Sequence, residues 1–215
     1  MDRGYPFGPH RYIVVEGPIG VGKTTLVHRL AEHARARLML EIFEENPFLA
    51  DFYQDRDKFA FQTELFFLLS RFRQQQTVTQ QSLFTEVTLS DYLFHKNLIF
   101  SGLTLVDAEW QLYLDIFEAL SPRVLTPDLV VLLDAPLDTL LGRIEKRSRS
   151  YEKDFDAKYL EDLVLRYRRE FQLYDKAPVL VVKTGEIDFS RDEEAVQWLV
   201  DEISIHTEGR HVIGG

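Results

Sequence analysis

An α/β fold, a parallel sheet of five strands with helices on both faces, is what this sequence predicts, and three observations predict it. Short apolar runs rich in leucine and β-branched residues recur along the chain, separated by longer segments of helical character. This is the alternation expected when successive strands return through crossover helices. A glycine-rich stretch stands directly between the first such run and the first helical segment. Finally, 215 residues, 45% of them hydrophobic and 28% charged, suffice for one buried core, and no repeat, low-complexity linker or long charge block marks a second domain. Residues 1–215 are therefore expected to form one domain, with 1–10 and 207–215 as flexible ends.

Arg11–Glu16 (RYIVVE) is the first strand, and the helix Lys23–Arg37 opens at the glycine-rich stretch behind it. Leu38–Ile42 is the second strand, ending in a run of acids. Lys58–Gln76 contains Phe66, Phe67, Leu68 and Leu69 in succession, so this helix is apolar around much of its circumference and needs two covers. The sheet is one. The other is either a partner subunit, with Trp110, Leu112, Leu114 and Phe117 of the helix Ala108–Leu120 as further candidates for that interface, or a thick monomeric core. Phe84–Leu89, Leu129–Leu133 (LVVLL) and Val179–Val182 complete the strands; Leu137–Arg147, Asp156–Lys176 and Asp192–Ile203 complete the helices.

Composition narrows the function. Lys and Arg number 25 against 35 Asp and Glu, a formal charge of −10 that argues against a protein built to coat a nucleic-acid backbone. With no cysteine, thiolate nucleophiles, disulfides, zinc fingers and iron–sulfur ligation are excluded together, in keeping with a reducing cytoplasm. The polar start MDRGYPFGPH and the lack of any apolar run near spanning length predict a soluble, intracellular protein without membrane contact.

Directly after the first strand, Gly17, Pro18, Ile19, Gly20, Val21, Gly22, Lys23, Thr24 and Thr25 match the phosphate-binding loop G-x-x-x-x-G-K-[ST] between a strand and a helix. Glycines let successive amides face an anion, and the following helix adds its unpaired N–H groups and positive dipole end. Lys23 is placed to reach the β- and γ-phosphates. The Thr24 hydroxyl is placed to help coordinate Mg²⁺, so the donor is a nucleoside triphosphate.

The acceptor has to be argued from other residues. Glu41, at the end of the second strand, lies on the carboxyl edge of the sheet beside the phosphate loop, where a carboxylate can take a proton; Glu44 and Glu45 read as solvated acids. Asp91, ending the third strand, is a second candidate for base or for Mg²⁺ through water. Asp134 reads equally as a Walker-B-type acid or a helix cap. Arg143 and Arg147 share one helix face, where like charges repel unless an anion sits between them, so the segment 143–153 is expected to close over the transferring phosphoryl group.

The stretches EGPIGVGKTTL (Glu16–Leu26), EIFEENPFLADFY (Glu41–Tyr53), FAFQTELFFLLSRFRQ (Phe59–Gln74), SDYLFHKNLIF (Ser90–Phe100) and LDTLLGRIEKRSRSYE (Leu137–Glu152) together resemble the deoxynucleoside kinases of the deoxycytidine and deoxyguanosine kinase type. The resemblance runs from about Arg11 to Phe189. It implies a three-layer P-loop NTPase fold, a homodimer, ATP and Mg²⁺ as donor, and a deoxynucleoside 5′-hydroxyl as acceptor. Glu41 corresponds to the carboxylate beside the 5′-oxygen and Asp91 to a strand-end acid; either can be named the base. Tyr53 and Glu152 resemble the pair holding the sugar 3′-hydroxyl, and Arg147 and Arg149 the arginines over the phosphate. Glu64 and Arg71, with Asn97, fall at nucleobase contacts.

Three departures stand out. Tyr92, on the substrate side, replaces an arginine and removes a cation; Ser148 replaces a glycine; and Glu64 replaces a glutamine. An ionised Glu64 accepts hydrogen bonds only, which suits the adjacent N1–H and N2 donors of guanine better than adenine. A purine deoxynucleoside, with guanine favoured, is the expected substrate. The competing readings are a thymidylate-type monophosphate kinase, which needs cations for a phosphate already on its acceptor, and a GTP-dependent switch, for which the chain lacks an Asn-Lys-x-Asp tetrad.

Overall fold

The computed structural model describes residues 5–78, 86–147 and 156–214. The chain order is β1 (Tyr12–Glu16), α1 (Lys23–Ala31), β2 (Ala36–Met39), α2 (Leu49–Gln54), α3 (Arg56–Val78), β3 (Val87–Ser90), α4 (Lys96–Thr104) and α5 (Asp107–Leu120). After a single 3₁₀ turn (Ser121–Arg123) come β4 (Leu129–Asp134), α6 (Leu137–Arg147), α7 (Ala157–Leu173), β5 (Val179–Lys183), α8 (Glu193–Ile205) and β6 (Arg210–Ile213).

The sheet order is β2-β3-β1-β4-β5-β6, and every neighbouring pair is parallel. All residues of β1 and β4 are buried, as a sheet covered on both faces requires. From β1 the chain goes out to β2 on one side, and from β4 to β5 on the other. The carboxyl end of β1 is thus a topological switch point, where open α/β sheets leave a crevice.

Several boundaries differ from the sequence expectation. The first helix ends at Ala31 rather than Arg37, because Glu32 and His33 donate to Arg29 and Leu30, tightening the last turn, and Ala36–Met39 then pairs with β3. The second strand accordingly lies at Ala36–Met39 and leaves Glu41 in the loop beyond it. Among the described residues the sheet has six strands, not five: Arg210–Ile213, expected to fray, pairs in register with Val179–Val182. The amino-terminal segment is also anchored, since Phe7 is fully buried in the main core. The short helices α2 and α4 were not anticipated. Together with α5 they cover α3, where the sequence suggested the sheet and either a partner or a thick monomeric core, and Phe52, Ala60, Leu68, Phe94, Tyr113 and Phe117 form a second apolar cluster there.

Candidate active site

The loop from Gly17 to Gly22 takes left-handed backbone at Gly17, Gly20 and Gly22. At Gly17 a side chain is excluded twice over, since φ is 145° and a Cβ would lie 2.5 Å from the Leu133 carbonyl oxygen. Gly22 leads into α1 with no side-chain cap, so the first-turn amides are left for an anion. Lys23 folds back over the loop, its Nζ donating to the carbonyls of Gly17 (2.8 Å) and Pro18 (3.1 Å).

Across the crevice, Asp91 joins donor and acceptor sides. Its Oδ2 accepts from Thr24 Oγ1 at 2.5 Å and its Oδ1 from the Glu41 amide at 2.8 Å. Glu41 is gripped at both oxygens: Arg71 donates to Oε1 through Nε (2.7 Å) and Nη2, and Lys96 Nζ donates to Oε2 at 2.8 Å. All five side chains line one open cavity. Ile19, Gly20 and Arg147 border it on the phosphate-loop side; Tyr53, Glu64, Phe67 and Phe100 border it on the other.

Residues 13–208 match the family described as deoxynucleoside kinase. The chain belongs to the deoxynucleoside kinase family. It is 37% identical over 179 residues to deoxyguanosine kinase of Bacillus subtilis, covering 82% of this chain and 86% of that one. To the deoxyadenosine/deoxycytidine kinase of the same organism it is 31% identical over 198 residues, covering 89% and 91%. Among solved structures, a deoxyadenosine kinase from M. mycoides with products dCMP and a flexible dCDP bound shares the fold. Its TM-score is 0.75 at 23% identity, covering 89% of this chain and 97% of that one.

Other sequence candidates in this kinase have different surroundings. Tyr92 is fully buried among core side chains, away from the cavity lining, and its hydroxyl has no hydrogen-bond partner among the described residues. Asn97 also stays behind the wall: its Oδ1 accepts from Arg71 Nη1 and its Nδ2 donates to the Phe94 carbonyl at 2.8 Å, so it braces Arg71. Asp134 lies outside the cavity lining. It is held by Arg168 at 3.0 Å and by Lys183, at the end of β5. Arg143 is used structurally, donating to the carbonyls of Val21, Thr184 and Ile187, each at 3.0 Å, which docks α6 on the phosphate loop and separates it in role from Arg147. Glu44 and Glu45 are exposed. Ser148, Arg149 and Glu152 lie outside the described residues.

Two functional side chains escaped the sequence analysis. Glu16, fully buried, accepts from the amides of Gly17 and Leu93, each at 2.8 Å, and from the Tyr167 hydroxyl at 3.0 Å, tying the phosphate loop to the segment after β3 and to α7. An acid closing an otherwise apolar strand was its signal. Lys96 gave none, since a lysine near a helix start reads as surface.

The electrostatics follow from this packing. Burial alone would raise the Glu41 carboxyl, but Arg71 and Lys96 hold it well below the usual carboxylate range. Burial pushes Glu64 up to about 7, against the pull of Arg71 and a 3.3 Å hydrogen bond from Thr104. Lys23 is lowered to about 8 by burial and by the charge of Lys96, with Glu16, Glu41 and Asp91 opposing.

Proposed function

We propose that this kinase transfers the γ-phosphoryl group of ATP to the 5′-hydroxyl of a purine deoxynucleoside, guanine preferred, forming the 5′-monophosphate for nucleotide salvage. One observation carries the reading: a carboxylate, Glu41, faces the phosphate loop across a cavity whose far end is aromatic and carries a second, buried acid. Phosphoryl transfer asks the protein mainly for positioning and charge neutralisation, with a base to orient the hydroxyl. Glu41 takes that role, and Lys23, Arg147 and Arg149 surround the phosphates. Tyr53 and Glu152 hold the 3′-hydroxyl. Phe67 and Phe100 flank the base plane.

Glu64 reads the base edge, supported by Arg71. Ionised, it accepts from N1–H and N2 of guanine; protonated, it offers a donor beside an acceptor, the pattern complementary to N1 and N6 of adenine. A carboxyl poised near neutrality thus accommodates both purines. Thr24 Oγ1 and Asp91 Oδ2 are adjacent hard oxygens facing the cavity, a donor set that fits a Mg²⁺ ion retaining several waters. Such an ion would supply charge neutralisation on the triphosphate.

The kinase works as a homodimer in the cytoplasm, its partner covering Leu69 of α3 and Leu112 of α5, which are 36% and 50% exposed. Among the described residues no helix is long and apolar enough to cross a membrane. The test is parallel turnover of deoxyguanosine, deoxyadenosine, deoxycytidine and deoxyguanosine monophosphate with ATP. Both purine deoxynucleosides are expected to outpace deoxycytidine. Faster deoxycytidine would overturn the purine assignment, faster monophosphate the nucleoside assignment, and steady nucleotide hydrolysis with no acceptor the kinase reading in favour of a switch.

A further inference from the structure

Each carboxylate oxygen of Glu41, the base for the 5′-hydroxyl, already accepts from a buried cation. Oε1 is taken by Arg71, itself braced by Asn97, and Oε2 by Lys96. The two cations differ in kind. Arg71 is held through several donors and is 3% exposed, so its guanidinium is fixed to the α3 wall. Lys96 is a single ammonium on a flexible stem, 4% exposed, lying along the Phe100 ring with its Nζ 5.2 Å from the centroid.

Lys96 also lines the cavity that Lys23 enters, close enough that its ammonium disfavours the charge on Lys23. Two cations converging on one cavity from opposite walls, one on the phosphate loop and one on the acceptor acid, leave between them a position that suits an anion. The group that must pass between those walls during the reaction is the phosphoryl group.

We propose that Lys96 is a catalytic residue that exchanges partners. When the triphosphate is bound, its ammonium moves from Glu41 Oε2 to the oxygens of the migrating phosphoryl group, leaving Oε2 for the 5′-hydroxyl. The exchange rests on the kinase reading above. In the step it serves, the 5′-oxygen bonds to the γ-phosphorus as the bond from that phosphorus to the bridging oxygen breaks. ADP departs with the bridging electron pair, and the hydroxyl proton passes to Oε2. With Lys96 withdrawn, the place it held at Oε2 is open to the 5′-hydroxyl, while Arg71 keeps the carboxylate in position.

Lys96→Met and Lys96→Arg are compared with the wild type in three measurements: kcat and KM for deoxyguanosine, the calorimetric Kd of a non-hydrolysable ATP analogue, and the calorimetric Kd of deoxyguanosine alone. Lys96→Met is expected to lower kcat by about 10²–10³-fold and to weaken the analogue. Deoxyguanosine alone should bind within a few-fold of wild type. Lys96→Arg, which keeps the charge, should retain kcat within about tenfold.

A kcat for Lys96→Met within threefold of wild type, or a loss confined to deoxyguanosine affinity, overturns the exchange and leaves the kinase reading intact. A wild type that phosphorylates no deoxynucleoside sinks both. Should Lys96→Met fail to fold, Lys96→Arg decides by analogue affinity: within threefold supports the exchange, and a loss beyond tenfold rejects it.

Discussion

Replacing Glu41 with glutamine removes a negative charge that two buried cations share. The Arg71 and Lys96 side chains are only 4% and 5% exposed, so neither can turn to water once the carboxylate is gone. An amide can still accept from Arg71 through its oxygen, but its NH₂ group then faces the Lys96 ammonium, donor against donor. Breaking a buried pair in this way costs about 3 kcal/mol, and for a chain of this size that lowers the melting temperature by roughly 6–12 °C.

The rate effect is separate. Loss of a general base is worth about 10²–10⁴-fold in kcat, measured with saturating deoxyguanosine in a coupled assay for ADP. Adding Lys96→Met to Glu41→Gln removes the clashing ammonium and should recover a good part of the lost stability with no recovery of rate, a coupling that a double-mutant cycle measures. If Glu41→Gln turns over within a few-fold of wild type, Glu41 is not the base. If its melting temperature is unchanged, the buried double ion pair carries no such energy.

Glu64→Gln should lower the ratio of deoxyguanosine to deoxyadenosine turnover and also change the pH profile of stability. The folded-state value near 7 lies above the ordinary 4.5, so the native chain holds a proton that the unfolded chain releases. That contribution is complete below about pH 4.5 and is lost as pH rises through 7. It amounts to about 3 kcal/mol, so Glu64→Gln should gain on wild type in melts at pH 8 and match it at pH 4; parallel curves would refute the argument. Gly17→Ala meets both the left-handed backbone and the Leu133 carbonyl and should cost more than about 2 kcal/mol, with triphosphate affinity lost alongside; calorimetry showing normal binding would contradict the loop geometry. Deleting residues 209–215 uncovers the outer edge of β5, where the Val179 amide donates to Gly209 at 2.9 Å. Sedimentation should then detect concentration-dependent association, and an unchanged species would mean that β6 protects nothing.

What the sequence could reveal depended on whether a residue's neighbours were local. Lys23, Thr24 and their glycines were legible because strand, loop and helix are contiguous and the chemistry of the loop lies mostly in its backbone. Leu129–Leu133 was legible because a strand buried on both faces is apolar throughout. Ala36–Met39 was not, since ARLM suits a helix by propensity and becomes a strand only by pairing with residues 87–90, about fifty positions on. Arg210–Ile213 is exposed and flanked by glycines, so nothing local distinguished it from a tail. Glu41 and Asp91 were found from their places at strand ends and Glu64 and Arg71 through the family resemblance, and the cavity brings all four together. Tyr92 and Asn97 share the segment of Asp91, but motif position does not specify on which side of a wall a side chain falls, and both face the core side. Lys96 became visible only with Glu41 beside it.

The helix α3 presents Glu64, Phe67 and Arg71 to the cavity, and one turn further on Gln75 donates to the Tyr12 hydroxyl at the sheet. Those positions follow one face of the helix, so Glu64, proposed to read the base, and Arg71, which steadies Glu41, are graduations on a rigid ruler, set apart by about 10 Å of helical rise. Inserting or deleting a residue between them would swing one mark about 100° away from the other. Divergence of such a pocket is therefore confined to exchanging the marks: new bases are accommodated by substituting at 64 or 67, while the span from base to reacting oxygen is inherited unchanged.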